Sequence, residues 1–141
     1  LERVHGFFGE ADTVLLPDAL RAWAVAWNAV TERDRRAALE RAAQPDVRFT
    51  DALVDITGID ALEAEIARQR ELFGQPLLVF PEFANVYSPA DGEEIVRHRL
   101  EIEIPGAPAI EITNYVHIRD ERIVRVSGFP GSSLAASTTL E

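Results

Sequence analysis

Apolar residues recur at spacings of three and four in the first half of the chain and alternate with polar ones in the second. From Pro17 onward, Leu20, Trp23, Ala24, Trp27 and Val30 share one helical face, and Pro17 suits a first turn, where its missing N–H costs nothing. Thr31-Glu32-Arg33-Asp34 has the form of a capping box opening a second helix, with Ala38, Leu39 and Ala42 as its buried stripe and Pro45 as its end. Residues 46–53 alternate with period two and predict a strand. Gly58 then breaks the chain, Asp60-Ala61-Leu62-Glu63 has the form of a second capping box, and Leu62, Ile66 and Phe73 line a third helix closed by Gly74. Beyond Pro76 the runs 77–87, 93–104, 109–119 and 122–129 read as strands. Their links are Pro89-Ala90-Asp91-Gly92, Pro105-Gly106 and Asp120-Glu121, short enough to make consecutive strands antiparallel neighbours.

The order is α-α-β-α-β-β-β-β, an α+β layout in which a strongly curved antiparallel sheet wraps three N-terminal helices and leaves a central pocket. Residues 17–130 form the single expected domain. Residues 1–16, with Gly6 and Gly9 around Phe7 and Phe8, read as an irregular N-terminal arm, and residues 131–141 as a flexible polar tail whose Leu140-Glu141 reads as a cloning scar.

Composition narrows the function classes. Fourteen Lys and Arg against twenty-four Asp and Glu give a net charge of −10, which argues against binding nucleic acid or an anionic membrane. Cysteine is absent, which removes disulfides, thiolate zinc sites and Cys nucleophiles. With three His, no clustered ligands and no Gly-rich phosphate loop, no metal or other cofactor is implied. No apolar run reaches the roughly 20 residues of a membrane span and no signal peptide pattern occurs, so the default location is cytoplasmic.

Alternation also nominates pocket residues. In 93–104 the inward set Val96, His98, Leu100, Ile102 and Ile104 is apolar but for His98. In 109–119, Asn114 is the polar member of Ile110, Ile112, Val116 and Ile118, and on the first strand Asp51 shares a face with Val47, Phe49 and Leu53. Three strands thus each place one polar group, Asp51, His98 or Asn114, on an apolar face, as a ligand site with a few convergent polar groups requires. Trp23, Trp27, Phe49, Leu100, Ile112 and Val116 are the expected ligand-binding walls. Desolvation would raise the pKa of Asp51 and lower that of His98 toward a useful acid/base range, and the Asn114 amide can donate to an oxyanion. Structural readings stand beside these: Asp51 as a turn cap, His98 as a satisfied core histidine, Asn114 as a bridge between strands, and the two tryptophans as plain core. Arg97, Arg99, Glu101, Glu103 and Glu111 fall on the outer face, with cross-strand ion pairs or a partner subunit as their surroundings.

Three stretches carry a family resemblance: Gln44-Pro45-Asp46-Val47-Arg48-Phe49-Thr50-Asp51 after two helices, Thr57-Gly58-Ile59-Asp60-Ala61-Leu62 opening the third, and Tyr115-Val116-His117-Ile118-Arg119-Asp120-Glu121-Arg122-Ile123 as the last hairpin. In that order the chain resembles the nuclear transport factor 2-like superfamily, in its SnoaL-like and ketosteroid-isomerase-like branches, over about residues 17–130. The resemblance implies a cone-shaped fold with an apolar pocket, usually dimeric, used for isomerisation, cyclisation, dehydration, hydrolysis or binding alone. It places Asp51 where ketosteroid isomerases keep their general base, Asn114 where they keep a protonated Asp, and Trp27 at or near their oxyanion Tyr. Two of the three roles are therefore changed, while proton abstraction beside a carbonyl stays open.

The expected function is cofactor-independent isomerase or lyase chemistry of the cyclase or dehydratase type on a small apolar carbonyl compound. In it Asp51 is the base, His98 a second proton-transfer group, and Asn114, with Trp27, the donor to an oxyanion. Hydrolysis by acyl transfer would prefer a nucleophile, and neither Gly-x-Ser-x-Gly nor an inward Ser is present. The alternatives are a non-catalytic ligand-binding protein and a dimeric interaction module; a homodimer through the outer sheet face is expected in any of them.

Overall fold

The computed structural model describes residues 12–130. Helices α1 (Asp18–Asn28), α2 (Glu32–Ala42) and α3 (Ile59–Leu72) pack on one face of a curved, unclosed eight-stranded sheet. Its strands are β1 (Asp12–Leu15), β2 (Ala43–Thr50), β3 (Asp55–Thr57), β4 (Leu77–Val79), β5 (Phe83–Ala90), β6 (Glu93–Glu103), β7 (Ile110–Arg119) and β8 (Arg122–Pro130). They run in the hydrogen-bonded order β1-β5-β6-β7-β8-β2-β3, with β4 paired to β6. The α+β cone read from the pattern is the observed architecture.

Several details differ from the sequence reading. Residues 12–15, read as part of an irregular arm, form β1 and pair antiparallel with β5, Val14 opposite Ala84. The run 77–87 is two strands, because Pro81 has no N–H to donate and interrupts the ladder. The two pieces lie along the same edge of β6, Leu77 opposite Glu103 and Asn85 opposite Arg97. The sheet is not wholly antiparallel: β2 pairs parallel with β8, Phe49 opposite Val126. Its register shifts between Ala43 and Arg48, the stretch that holds Pro45.

Helix ends follow local chemistry. Thr31 caps α2, its Oγ1 accepting from the Asp34 amide at 3.1 Å. The second expected capping box does not form. Gly58, at φ 95, is the α3 N-cap with no side-chain hydrogen bond. Glu63 turns into the core instead of reaching back, and Asp60 pairs with Arg36 at 2.7 Å. α3 closes as a Schellman motif: Gly74 N–H donates to Glu71 O and Gln75 N–H to Arg70 O, with Gly74 at φ 72.

The last turn of α1 carries no basic residue, and its carbonyls are met from the other helices. Arg35 Nη1 donates to Ala29 O at 2.9 Å, just past the helix end, and Arg70 Nη1 to Trp27 O at 2.7 Å and Pro76 O at 2.9 Å. Arg35 also pairs with Glu63, Nε to Oε2 at 2.9 Å, in a buried bridge between α2 and α3. Asn28 pins β4 to the same end through Leu78 N and O. Among the described residues no helix is long and apolar enough to cross a membrane.

Candidate functional site

The side chains of α1 and the inner face of the sheet leave a cavity of about 210 Å³. Trp23 and Trp27, one α1 turn apart, form one wall with Phe49 of β2, at ring separations of 6.3, 6.2 and 5.5 Å. Leu100 and Ile102 from β6, Ile112 and Asn114 from β7, and Leu78 from β4 form the other. Of the nine residues nominated by sequence, Asp51, Asn114, Trp23, Trp27, Phe49, Leu100 and Ile112 line this space and His98 and Val116 do not. The exceptions have a common cause. Alternation reports which face a residue occupies and not how far along the strand the helices fill the cone. Val116 is wholly buried among core residues, and His98 lies behind Asn114.

A row of inward positions crosses three strands, with His98 opposite Asn114 and Asn114 opposite Gly128. Gly128 matters for its missing side chain. A Cβ there would stand 3.0 Å from Asn114 Oδ1, 3.7 Å from Ile112 Cγ2 and 3.9 Å from Asp51 Cβ. Its absence is what lets β2, β7 and β8 bring Asp51 and Asn114 together. Sequence reasoning passed over it, although a glycine inside a strand pattern is itself a signal of close approach. Phe80, Leu78 and Gln69 were also missed as lining residues.

Asp51 both lines the cavity and caps a turn. β2 ends at Thr50, so Asp51 reaches the cavity from the first position of a turn and not by strand alternation. Its Oδ1 accepts from the Leu53 and Val54 amides at 2.7 and 2.9 Å, and its own N–H donates to Val54 O. The same turn carries Leu53, expected to face inward, out to the rim of the cavity, which it lines while 90 % exposed.

His98 is 4 % exposed, with its ring 5.4 Å from that of Phe80. Burial pushes its pKa down to about 4, opposed in part by the backbone of Arg99, so near neutral pH the ring carries no charge. Asn114 Nδ2 lies 3.5 Å from His98 Nε2, a contact in which the amide donates when the ring proton sits on Nδ1, and Nδ1 is buried without a hydrogen-bond partner. Nδ2 faces His98, and Oδ1 lies on the Gly128 side, where it offers the cavity an acceptor. The indole N–H of Trp27 is buried without a partner beside the cavity that its ring lines. Among the described residues no three His, Asp or Glu side chains gather closely enough to hold a metal ion.

In comparisons with solved structures, a protein from Agrobacterium tumefaciens strain C58, proposed as an isomerase of the SnoaL-like family, superposes with a TM-score of 0.65 at 23% identity, over 80% of this chain and 94% of that one. The chain has the SnoaL-like, nuclear transport factor 2-like cone fold. A Catenulispora acidiphila protein of ketosteroid-isomerase-like fold, crystallised with trimethylamine, shares this SnoaL-like cone at a TM-score of 0.58 and 20% identity over 79% and 84% of the two chains. A Sinorhizobium meliloti protein proposed as a polyketide cyclase does so at 0.58 and 18% over 80% and 94%. No protein-family model and no curated protein matches the chain in sequence. At these identities the likeness establishes the SnoaL-like backbone, and the chemistry has to be argued from the cavity.

Proposed function

We propose that the chain binds a small, largely apolar carbonyl compound in this cavity and moves a proton on it, with Asp51 as the base. The observation that carries the reading is the meeting of Asp51 and Asn114 around Gly128 in one apolar chamber. In the proposed step Asp51 takes a proton from the carbon beside the carbonyl. The C–H electrons form a C=C bond, and the carbonyl electrons move onto oxygen as an enolate. Return of the proton to another carbon is isomerisation; attack of the enolate carbon on a second carbonyl of the same molecule is cyclisation. Asn114 Oδ1 accepts from a ligand hydroxyl or enol, and the unpaired Trp27 N–H is the donor that an oxyanion would engage. His98, neutral and out of contact with the cavity, holds Asn114 from behind and exchanges no proton with the ligand.

A second reading, binding without chemistry, draws on the two amide hydrogen bonds that already occupy Asp51 Oδ1. Exchange of the α-protons of 2-tetralone in deuterated water, followed by NMR, separates the two. The wild type is expected to accelerate exchange and Asp51→Asn to slow it by about a hundredfold. An Asn side chain accepts the same turn hydrogen bonds, so this variant keeps its fold. A tetralone that binds without faster exchange establishes the binding reading instead.

We further propose that two copies pair through the outer sheet face. There Tyr115 and Phe129 meet edge to face at 5.8 Å, 44 % and 51 % exposed, beside the cross-strand pair Arg99–Glu111. Sedimentation equilibrium is expected to return twice the 15.6 kDa chain mass, and Tyr115→Glu the single mass. A wild-type monomer removes the dimer.

A further inference from the structure

Against the first chamber lies a second, of about 250 Å³, between the end of α3 and the ends of β6 and β7. Trp27, Leu78, Ile102 and Ile112 are among the residues that line both, so the two chambers adjoin. The second chamber differs in having Arg70 on its wall. We propose that it holds the carboxylate of an organic acid, with Arg70 as counter-ion and the apolar body of the ligand extending past Trp27 into the first chamber. This inference rests on the proposed ligand pocket and adds the charge class of the ligand.

The electrostatics of Arg70 carry it. The residue is 6 % exposed and has no carboxylate partner among the described residues. A guanidinium stays protonated in proteins, and burial of the charge is costly without compensation. Desolvation, then the charge of Arg35, lowers the Arg70 pKa, the direction expected of a cation held out of water beside a second cation. Compensation within the fold is partial. Nη1 carries both carbonyl hydrogen bonds, to Trp27 O and Pro76 O, and the end of α1 supplies only about half of a negative charge. Nε is buried without an acceptor, and among the described residues Nη2 makes no hydrogen bond. The buried carboxylate of Glu63 is already committed to Arg35. The other ionisable groups lining the chamber are Arg68, paired with Glu65, and Asp51, the proposed base, whose Oδ1 accepts from the turn amides. A buried positive charge with an unused donor therefore sits on the wall of a largely apolar chamber, and a planar carboxylate is the acceptor that a guanidinium edge fits best. A purely structural strut would need the carbonyl hydrogen bonds of Nη1 but no cavity beside it.

The chain's two tryptophans, Trp23 and Trp27, both line the first chamber, so their fluorescence reports on its filling. The probes are 4-phenylbutyrate and its neutral amide, 4-phenylbutyramide, titrated near neutral pH. The acid is expected to bind the wild type about tenfold more tightly than the amide, the usual scale of a charge-assisted hydrogen bond. Arg70→Met is expected to keep the amide affinity and lose the preference. In the wild type, the 15N–1H resonance of Arg70 Nε should shift with the acid and stay in place with the amide. Equal affinities in the wild type, a preference that survives Arg70→Met, or an Nε resonance unmoved by the acid overturns the proposal. The resonance decides it even if the variant does not fold. Equal binding of both probes removes only the carboxylate site, whereas binding of neither removes the ligand pocket as well.

Discussion

A Glu63→Gln protein is expected to lose about 3–5 kcal/mol of unfolding free energy, measured by urea denaturation at neutral pH. Two guanidiniums, Arg35 and Arg70, lie buried near the end of α1, and Glu63 is the buried carboxylate among them. With both partners present, the Arg35 bridge combines Coulomb attraction with a 2.9 Å hydrogen bond and the Arg35 contact to Ala29 O. Gln can still accept one hydrogen bond but cancels no charge, so the cost is that of a cation left uncompensated out of water. The arrangement predicts its own control. Removing both charges together, as Arg35→Met with Glu63→Leu, should restore much of the loss, because the desolvation penalty of both ions disappears with them. A Glu63→Gln loss below about 1 kcal/mol, the scale of an exposed pair, would show that water reaches this bridge.

The second large effect is a dependence on pH traced to His98. Its folded pKa of about 4 lies below the unfolded value of 6.5, so between these values the unfolded chain binds the additional proton. The sign follows: the neutral buried ring contributes its full stability above pH 6.5 and loses it as the pH falls toward 4. At pH 4 the loss amounts to about 3 kcal/mol. Carboxylates with lowered pKa values, such as Glu65 beside Arg68, also lose stability on acidification, and they do so with or without His98. The informative quantity is therefore the difference between wild type and His98→Gln, followed by urea unfolding from pH 7.5 to 4. That difference should change by about 3 kcal/mol across the window, in favour of the variant at low pH. Parallel curves would mean that the imidazole is hydrated in the native state.

Sequence pattern reached the helices, the long strands and the polar members of apolar faces because those features are local. Leu100, Ile112 and Asn114 stood out by alternation alone, and Thr31 by its cap chemistry. What escaped it depends on distant chain. β1 and β3, at four and three residues, are too short to show a period and exist through their partners β5 and β2. The parallel pairing of β2 with β8 carries no turn signal, since no short link connects them. His98 was placed on the correct face, but its depth depends on how far the helices fill the cone. Arg70 has the composition of a surface helix position; it is buried because the Schellman turn at Gly74 brings Pro76 O back over its guanidinium.

The parallel pair β2–β8 also orders events in time. The chamber needs Asp51 from one end of the domain and Gly128 from the other, a closure echoed by the Thr50–Ser127 contact across 77 positions. During synthesis on the ribosome, the helices and the β6–β7 hairpin can form from what has already emerged. β2 meanwhile keeps an unsatisfied edge until the last strand arrives. The chamber is thus among the last parts of the molecule to be assembled, and a nascent chain presents neither its binding surface nor its proposed base until residues through β8 have left the exit tunnel.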